Sequence, residues 1–163
     1  MMNTAFLLTG SNLGNREDQL EKARKLISGQ CGIISRVSSL YETAPWGKTD
    51  QPAFLNQALL LQTEFDAPRL LRELLNVENS MGRIRHEKYG PRIIDIDILF
   101  FNDEIIKLPH LTVPHPEIQN RKFALVPMNE IAPGLVHPIL NKTIKNLLST
   151  SKDKLEVKLL SKS

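Results

Sequence analysis

The sequence is poor in three things: cysteine, long apolar runs and net charge. A single thiol, Cys31, among 163 residues cannot form an internal disulfide. That excludes a disulfide-stapled secreted scaffold and fits a reducing cytosol, with Cys31 as a small buried filler. No apolar run approaches the ~18 residues that a membrane-spanning helix needs. The N-terminus shows no basic stretch followed by an apolar segment and a cleavage site, so a cytoplasmic protein is expected. The formal charge is +3, from 21 Lys and Arg against 18 Asp and Glu. This is too mild to announce nucleic-acid binding, so the placement of the basic residues matters more than their number. No repeat, low-complexity tract or linker is visible. What remains is an ordinary globular balance, 41% hydrophobic and 24% charged, in a length suited to one domain over 1–163.

Local pattern supplies the elements. Ala5 to Thr9 reads as a strand closed by Gly10. Asn15 then caps a helix with Glu17 and Asp18 in its first turn, and Leu20, Ala23, Leu26 and Ile27 form its apolar stripe. Gly29 is expected to end it. Ile33 to Thr43 reads as one long strand, followed by a turn-rich loop from Ala44 to Pro52 and a strand from Phe54 to Thr63. Asp66 caps a second helix with Pro68 in its first turn, and Gly82 stops it. A basic loop from Arg83 to Arg92 leads into an apolar strand, Ile93 to Phe101. Strand, helix, strand, strand, helix, strand is the ferredoxin-like βαββαβ order. The expected fold is therefore α+β, a mostly antiparallel sheet with helices packed on one face and C-terminal additions. Those additions are a short strand Ile105–Leu108, with a hairpin across Asn102–Glu104, a helical piece near Arg121–Met128, a helix capped by Thr143 and running through Leu148, and a last strand through Leu155, Val157 and Leu159. The tail from Lys142 reads as solvated packing.

Chemistry gathers at the strand that ends at Phe101. Strand side chains alternate between faces, so Asp95 and Asp97 project together, roughly 6.5 Å apart at Cα. Ile94, Ile96 and Ile98 then face the core. Two carboxylates at ~6 Å repel by roughly 3 kcal/mol at an effective dielectric near 20. A divalent cation relieves this, and ligands that are all oxygen favour magnesium. An isolated Asp-x-Asp is more often a solvated strand face. Here, though, Arg83, Arg85, Lys88 and Arg92 crowd the preceding loop, and acids for metal beside several guanidiniums suit a polyphosphate.

Gly82-Arg83-Ile84-Arg85, followed by the run Tyr89-Gly90-Pro91-Arg92-Ile93-Ile94-Asp95-Ile96-Asp97-Ile98-Leu99, resembles the signature of the 6-hydroxymethyl-7,8-dihydropterin pyrophosphokinase family. Gly10 to Gly14, Asp50-Gln51-Pro52 with Phe54-Leu55-Asn56, Leu111 to His115, and Asn120-Arg121 with Phe123 match in order, so the resemblance extends to about Pro138. It implies transfer of pyrophosphate from ATP, the co-substrate, to the hydroxymethyl group of the pterin, with release of AMP, in folate biosynthesis. Carried over, Asp95 and Asp97 would hold two magnesium ions, and Arg83 and Arg92 would stabilise the transferring charge, assisted by Arg85. Glu78, Ile98, Thr112, His115 and Arg121 would surround the nucleotide. Thr43, Pro45, Trp46, Phe54, Asn56 and Phe123 would contact the pterin, with the two phenylalanines stacking and Asn56 reading the ring edge. Without the resemblance both phenylalanines would be read as core, and His115, between Pro114 and Pro116, as structural. Gly10 to Asn15 lacks the Gly-Lys-Ser/Thr ending of a phosphate loop and reads as a structural turn. Tyr89, His110 and Ala44 stand where the family often has tryptophan, arginine and proline.

The resemblance further implies small-molecule partners, no nucleic acid and no membrane, and a monomer is expected. Loops 44–52 and 83–92 are expected to close over ATP. Two rivals stay open: a ferredoxin-like nucleic-acid-binding module, which would display aromatics where this chain has Asp95 and Asp97, and a magnesium-dependent nuclease using the same acids.

Overall fold

The computed structural model describes residues 2–44, 52–82 and 93–161. Its central strand, β1 (Asn3–Ser11), is buried on both faces from Ala5 through Ser11, which accounts for an apolar run without alternation. β1 pairs antiparallel with β4 (Phe54–Thr63) on one side and β5 (Asp95–Phe101) on the other. Both β2 (Ile33–Val37) and β3 (Leu40–Thr43) pair with β4. β8 (Val157–Ser161) pairs with β3, giving the order β5-β1-β4-β3-β8. With α1 (Arg16–Gln30) and α2 (Ala67–Ser80) as the crossovers, this is the expected ferredoxin-like arrangement.

Both crossover helices begin where their caps dictate. The side chain of Asn15 accepts the Asp18 N–H, and that of Asp66 accepts the Arg69 N–H, each satisfying a donor that the helix itself leaves unpaired. α1 runs through Gly29 to Gln30, so Gly29 does not stop it. The turn is taken by Gly32 at φ +153, where a Cβ would lie 2.1 Å from the Gln62 carbonyl oxygen.

The strand expected over 33–43 is two. Ser38 donates its N–H to the Ala58 carbonyl, while its hydroxyl accepts the Ala58 N–H. The side chain thus takes a bond that a straight ladder would give to backbone, and the chain bends between β2 and β3.

The helices lie on both faces, not one. α1 and α2 cover Leu7, Leu55, Leu59, Leu61, Ile94, Ile96 and Ile98. α3 (Lys122–Ile131) and α4 (Ile144–Ser149) build a second core over Phe6, Leu8, Ala58, Leu99 and Phe100. The tail is therefore structural: Ile144 is fully buried and β8 extends the sheet. A bulge makes the second core possible. Phe6 pairs with Phe100 but Leu7 with Ile98, so Leu99 is an extra residue and Phe100 falls on the same face as Leu99 instead of the opposite one. The expected hairpin after β5 also differs. β6 (Ile106–Leu108) pairs with β7 (Leu111–Val113) in a separate ladder. Asn102 bonds back to β1 through Thr4 instead.

Candidate active site

The second-core face changes character along its strands. On β1 it runs from Phe6 and Leu8 to Gly10. On β4 it runs from Leu60 and Ala58 to Asn56 and Phe54, and on β5 from Leu99 to Asp97 and Asp95. Register aligns Gly10 with both Asn56 and Asp95, and Thr43 of β3 with Phe54. Asp95, Asp97, Asn56, Phe54 and Thr43 therefore share one end of one face, beyond the part covered by α3. The two acids are half-buried, between Ile94, Ile96 and Ile98 turned to the other core, as alternation requires.

His115 and Arg121 close on this end. The His115 N–H donates to the Leu99 carbonyl at 2.9 Å, which fixes the histidine beside β5. Burial first, and the Arg121 guanidinium next, push its pKa down to about 4, against the opposing pull of Glu117 and Asp95. The imidazole is thus neutral at pH 7. Its Nδ1 accepts the Glu117 N–H at 3.1 Å, so the ring proton resides on Nε2, which is left as a donor. Arg121 lies with its guanidinium carbon 5.6 Å from the centre of the Phe123 ring, within cation–π range. Phe123 itself is half-buried against the second core.

Asn56 is the most informative polar group. It is 5% exposed and its Nδ2 donates to the Thr9 carbonyl at 3.3 Å. Among the described residues its Oδ1 is buried with no hydrogen-bond partner, and so is the Thr43 hydroxyl. Buried acceptors left empty cost about 1–3 kcal/mol each, and such groups mark places where a ligand supplies the missing partner. Gly10 was legible only as a turn residue, yet it makes room for this amide: a Cβ there would sit 2.5 Å from Asn56 Nδ2. The strand pairing of Gly10 with Asn56 is the signal that sequence alone does not carry.

Other expected site residues are spread more widely. Glu78, at the end of α2, is 2% exposed and its Oε2 accepts the Ile96 N–H at 2.7 Å. It braces the strand between the two aspartates. The Ile98 side chain is 5% exposed and packs in the first core, away from the acids, so it does not reach their face of the sheet. Thr112 is exposed in β7, opposite Lys107. Arg83, Arg85, Arg92, Pro45 and Trp46 lie outside the described residues, as do the two loops expected to close over ATP, apart from Ala44 and Pro52. Among the described residues no third His, Cys, Asp or Glu joins the aspartates in a metal-binding group.

The sequence profile of the family described as 7,8-dihydro-6-hydroxymethylpterin-pyrophosphokinase (HPPK) matches residues 6–133. The chain is similar to the 2-amino-4-hydroxy-6-hydroxymethyldihydropteridine pyrophosphokinase of Haemophilus influenzae, 41% identical over 84% of this chain and 86% of the relative. The enzyme of the same name from Bacillus subtilis is 42% identical over 80% of this chain and 79% of that relative. Among solved structures the chain resembles Plasmodium falciparum HPPK-DHPS with pteroate, at a TM-score of 0.75 and 20% identity. That likeness covers 91% of this chain but 42% of the larger protein, and at such identity it speaks to the fold alone.

Proposed function

The chain belongs to the 7,8-dihydro-6-hydroxymethylpterin-pyrophosphokinase family, and from that membership we propose how its residues divide the work. It is an ATP-dependent diphosphotransferase of folate biosynthesis. It moves pyrophosphate from ATP to 6-hydroxymethyl-7,8-dihydropterin, giving AMP and the pterin diphosphate. The same match sets aside the nucleic-acid-binding and nuclease readings.

In our reading Asp95 and Asp97 hold two magnesium ions. The observation that carries it is their shared face at the end of β5, with His115 and Arg121 beside them. Two carboxylates with no further protein ligand among the described residues suit magnesium, which keeps waters and takes phosphate oxygens in place of a full protein cage. When bound, the ions supply charge neutralisation across the phosphates. The chain's own groups then orient the reactants. Neutral His115 offers its Nε2–H to a nucleotide oxygen, and Arg121 brings positive charge beside it. Glu78 keeps β5 from shifting. Because Ile96 turns its N–H away from β1 toward Glu78, strand alternation turns the Ile98 backbone the same way, supporting a backbone contact with the nucleotide. Arg83 and Arg92, with Arg85, would take up charge on the transferring group, and Thr112 would line the nucleotide. The empty Asn56 Oδ1 and Thr43 hydroxyl support a pterin edge docking on them. Phe54 and Phe123 would cover the ring faces, with Pro45 and Trp46 completing the wall.

The pterin hydroxyl oxygen attacks the β-phosphorus and gives up its proton to solvent, the bond from that phosphorus to the α-phosphate oxygen breaks, and AMP leaves with that oxygen. Chromatography of the nucleotide products checks this; ADP as the main product would reject it. Asp95→Asn or Asp97→Asn should lower kcat by roughly 10²–10³ with the circular dichroism spectrum intact. Near-normal turnover in both variants would remove the metal assignment. No described helix is long and apolar enough to cross a membrane. We further propose a monomeric, cytoplasmic enzyme with 1–163 as one domain, which light scattering and fractionation test.

A further inference from the structure

One guanidinium nitrogen holds both ends of the connection between β3 and β4. Arg16 is the first residue of α1, on the face of the sheet opposite Asn56. Its Nη1 lies 2.7 Å from Glu42 Oε2 and donates to the Ala53 carbonyl at 2.9 Å. Glu42 is the second-last residue of β3, and Ala53 immediately precedes β4. Between these two anchors stands the final rung of the ladder, Thr43 opposite Phe54. A neighbouring contact acts on the same stretch, since Asn12 Nδ2 donates to the Pro52 carbonyl at 3.1 Å.

We propose that Arg16 is a positioning residue for the pterin: it ties β3 to the entrance of β4 at their last rung and so fixes Thr43 and Phe54 on the far side of the sheet. The ends of a β-ladder fray because the last residues have a neighbour on one side only, and here two strands part into a ten-residue connection. A charged donor shared between the two strands restrains that parting. The Arg16 and Glu42 side chains are 26% and 32% exposed, so the ion pair contributes little to global stability. Its effect is local order in the wall that meets the substrate. Because a single nitrogen makes both contacts, a lysine ammonium can replace it, whereas a methionine of similar length cannot.

The inference rests on the reading of Thr43, Phe54 and Asn56 as the pterin wall, and the experiment separates the two. Full-length wild type, Arg16→Met, Arg16→Lys and Asn56→Ala are compared for four quantities: the KM for the hydroxymethyl-dihydropterin substrate, the KM for ATP, kcat and the melting temperature. Arg16→Met should raise the pterin KM about tenfold while the ATP KM and kcat stay within about twofold and the melting temperature changes little. Arg16→Lys should recover most of the loss. An unchanged pterin KM in Arg16→Met overturns the proposal. So does a parallel rise for both substrates with a fallen melting temperature, because that is the mark of a general structural role. If Asn56→Ala raises the pterin KM and Arg16→Met does not, only the Arg16 role falls. If Asn56→Ala is also silent, the wall was misread and both ideas fail.

Discussion

Gly10 shows how much one missing methyl decides. Its Cβ position lies 2.5 Å from the Asn56 amide nitrogen, a separation that atoms do not tolerate, while its backbone is ordinary strand. Gly10→Ala therefore acts through contact alone, pushing the Asn56 amide off the Thr9 carbonyl. We expect a rise of roughly tenfold in pterin KM with an unchanged far-ultraviolet spectrum; steady-state kinetics checks it, and unchanged KM would mean that the amide has room to move. His115 yields a pH prediction. Its folded pKa of about 4 lies below the ordinary 6.5, so the unfolded chain binds a proton that the folded chain refuses. The stability linked to this group is fully present above pH 6.5 and drains away as pH falls toward 4. Urea denaturation of wild type and His115→Gln should show curves that differ most near neutrality and converge between those limits. A constant gap across that window would contradict the burial-driven shift.

At the scale of elements, α3 is held to the sheet by polar contacts rather than by packing alone. Glu130 accepts the Ser39 N–H at 3.0 Å, the Ser39 hydroxyl at 3.1 Å and the Tyr41 hydroxyl at 2.5 Å. Arg36 Nη1 donates to the Ile131 carbonyl at 2.7 Å, and Asp153 accepts the Lys122 N–H at the other end of the helix. Burial, then the hydrogen bond to Glu130, pushes the Tyr41 phenol up to about 12. Glu130→Gln should cost about 1–3 kcal/mol in denaturant titration and let Tyr41 ionise closer to its ordinary value of 10. The chain has two tyrosines, so an ultraviolet titration can follow Tyr41 against one neighbour; an unmoved spectrum would sink the coupling. None of this was visible in the sequence, because Glu130 and Ser39 lie 91 positions apart. Elements set by adjacent residues were legible: the Asn15, Asp66 and Thr143 caps and the Phe54–Thr63 strand stand where local chemistry put them. Elements decided by distant partners were not. The break at Ser38 depends on Ala58, and the second helical layer depends on a bulge at Leu99 that no periodicity announces.

Across the molecule, the candidate site was legible through the acids and their face, since period-two geometry needs no partner. The roles of Gly10 and Glu78 required the sheet to be assembled. The tail beyond the matched span of 6–133 is a different case: its last strand was legible, but the tail reads as solvated packing, and only the assembled sheet shows that strand, β8, covering the outer edge of β3. Removing residues 151–163 should uncover backbone donors and acceptors along β3, an invitation to edge-to-edge pairing. The expected outcome is a lower melting temperature and concentration-dependent self-association by light scattering; a truncated chain that melts like the full one would show β8 to be dispensable.

The bulge at Leu99 has one more implication. Past it, β5 is clamped by hydrocarbon on both surfaces; before it, the same continuous backbone carries the acids. Mechanical compliance along a hydrogen-bonded ribbon is low where its neighbours are tightly filled. The carboxylates therefore ride on a ribbon that is held along one edge and one face and anchored close by, so in the proposed reaction repeated loading and discharge of a highly charged cargo should leave their spacing nearly constant from one turnover to the next.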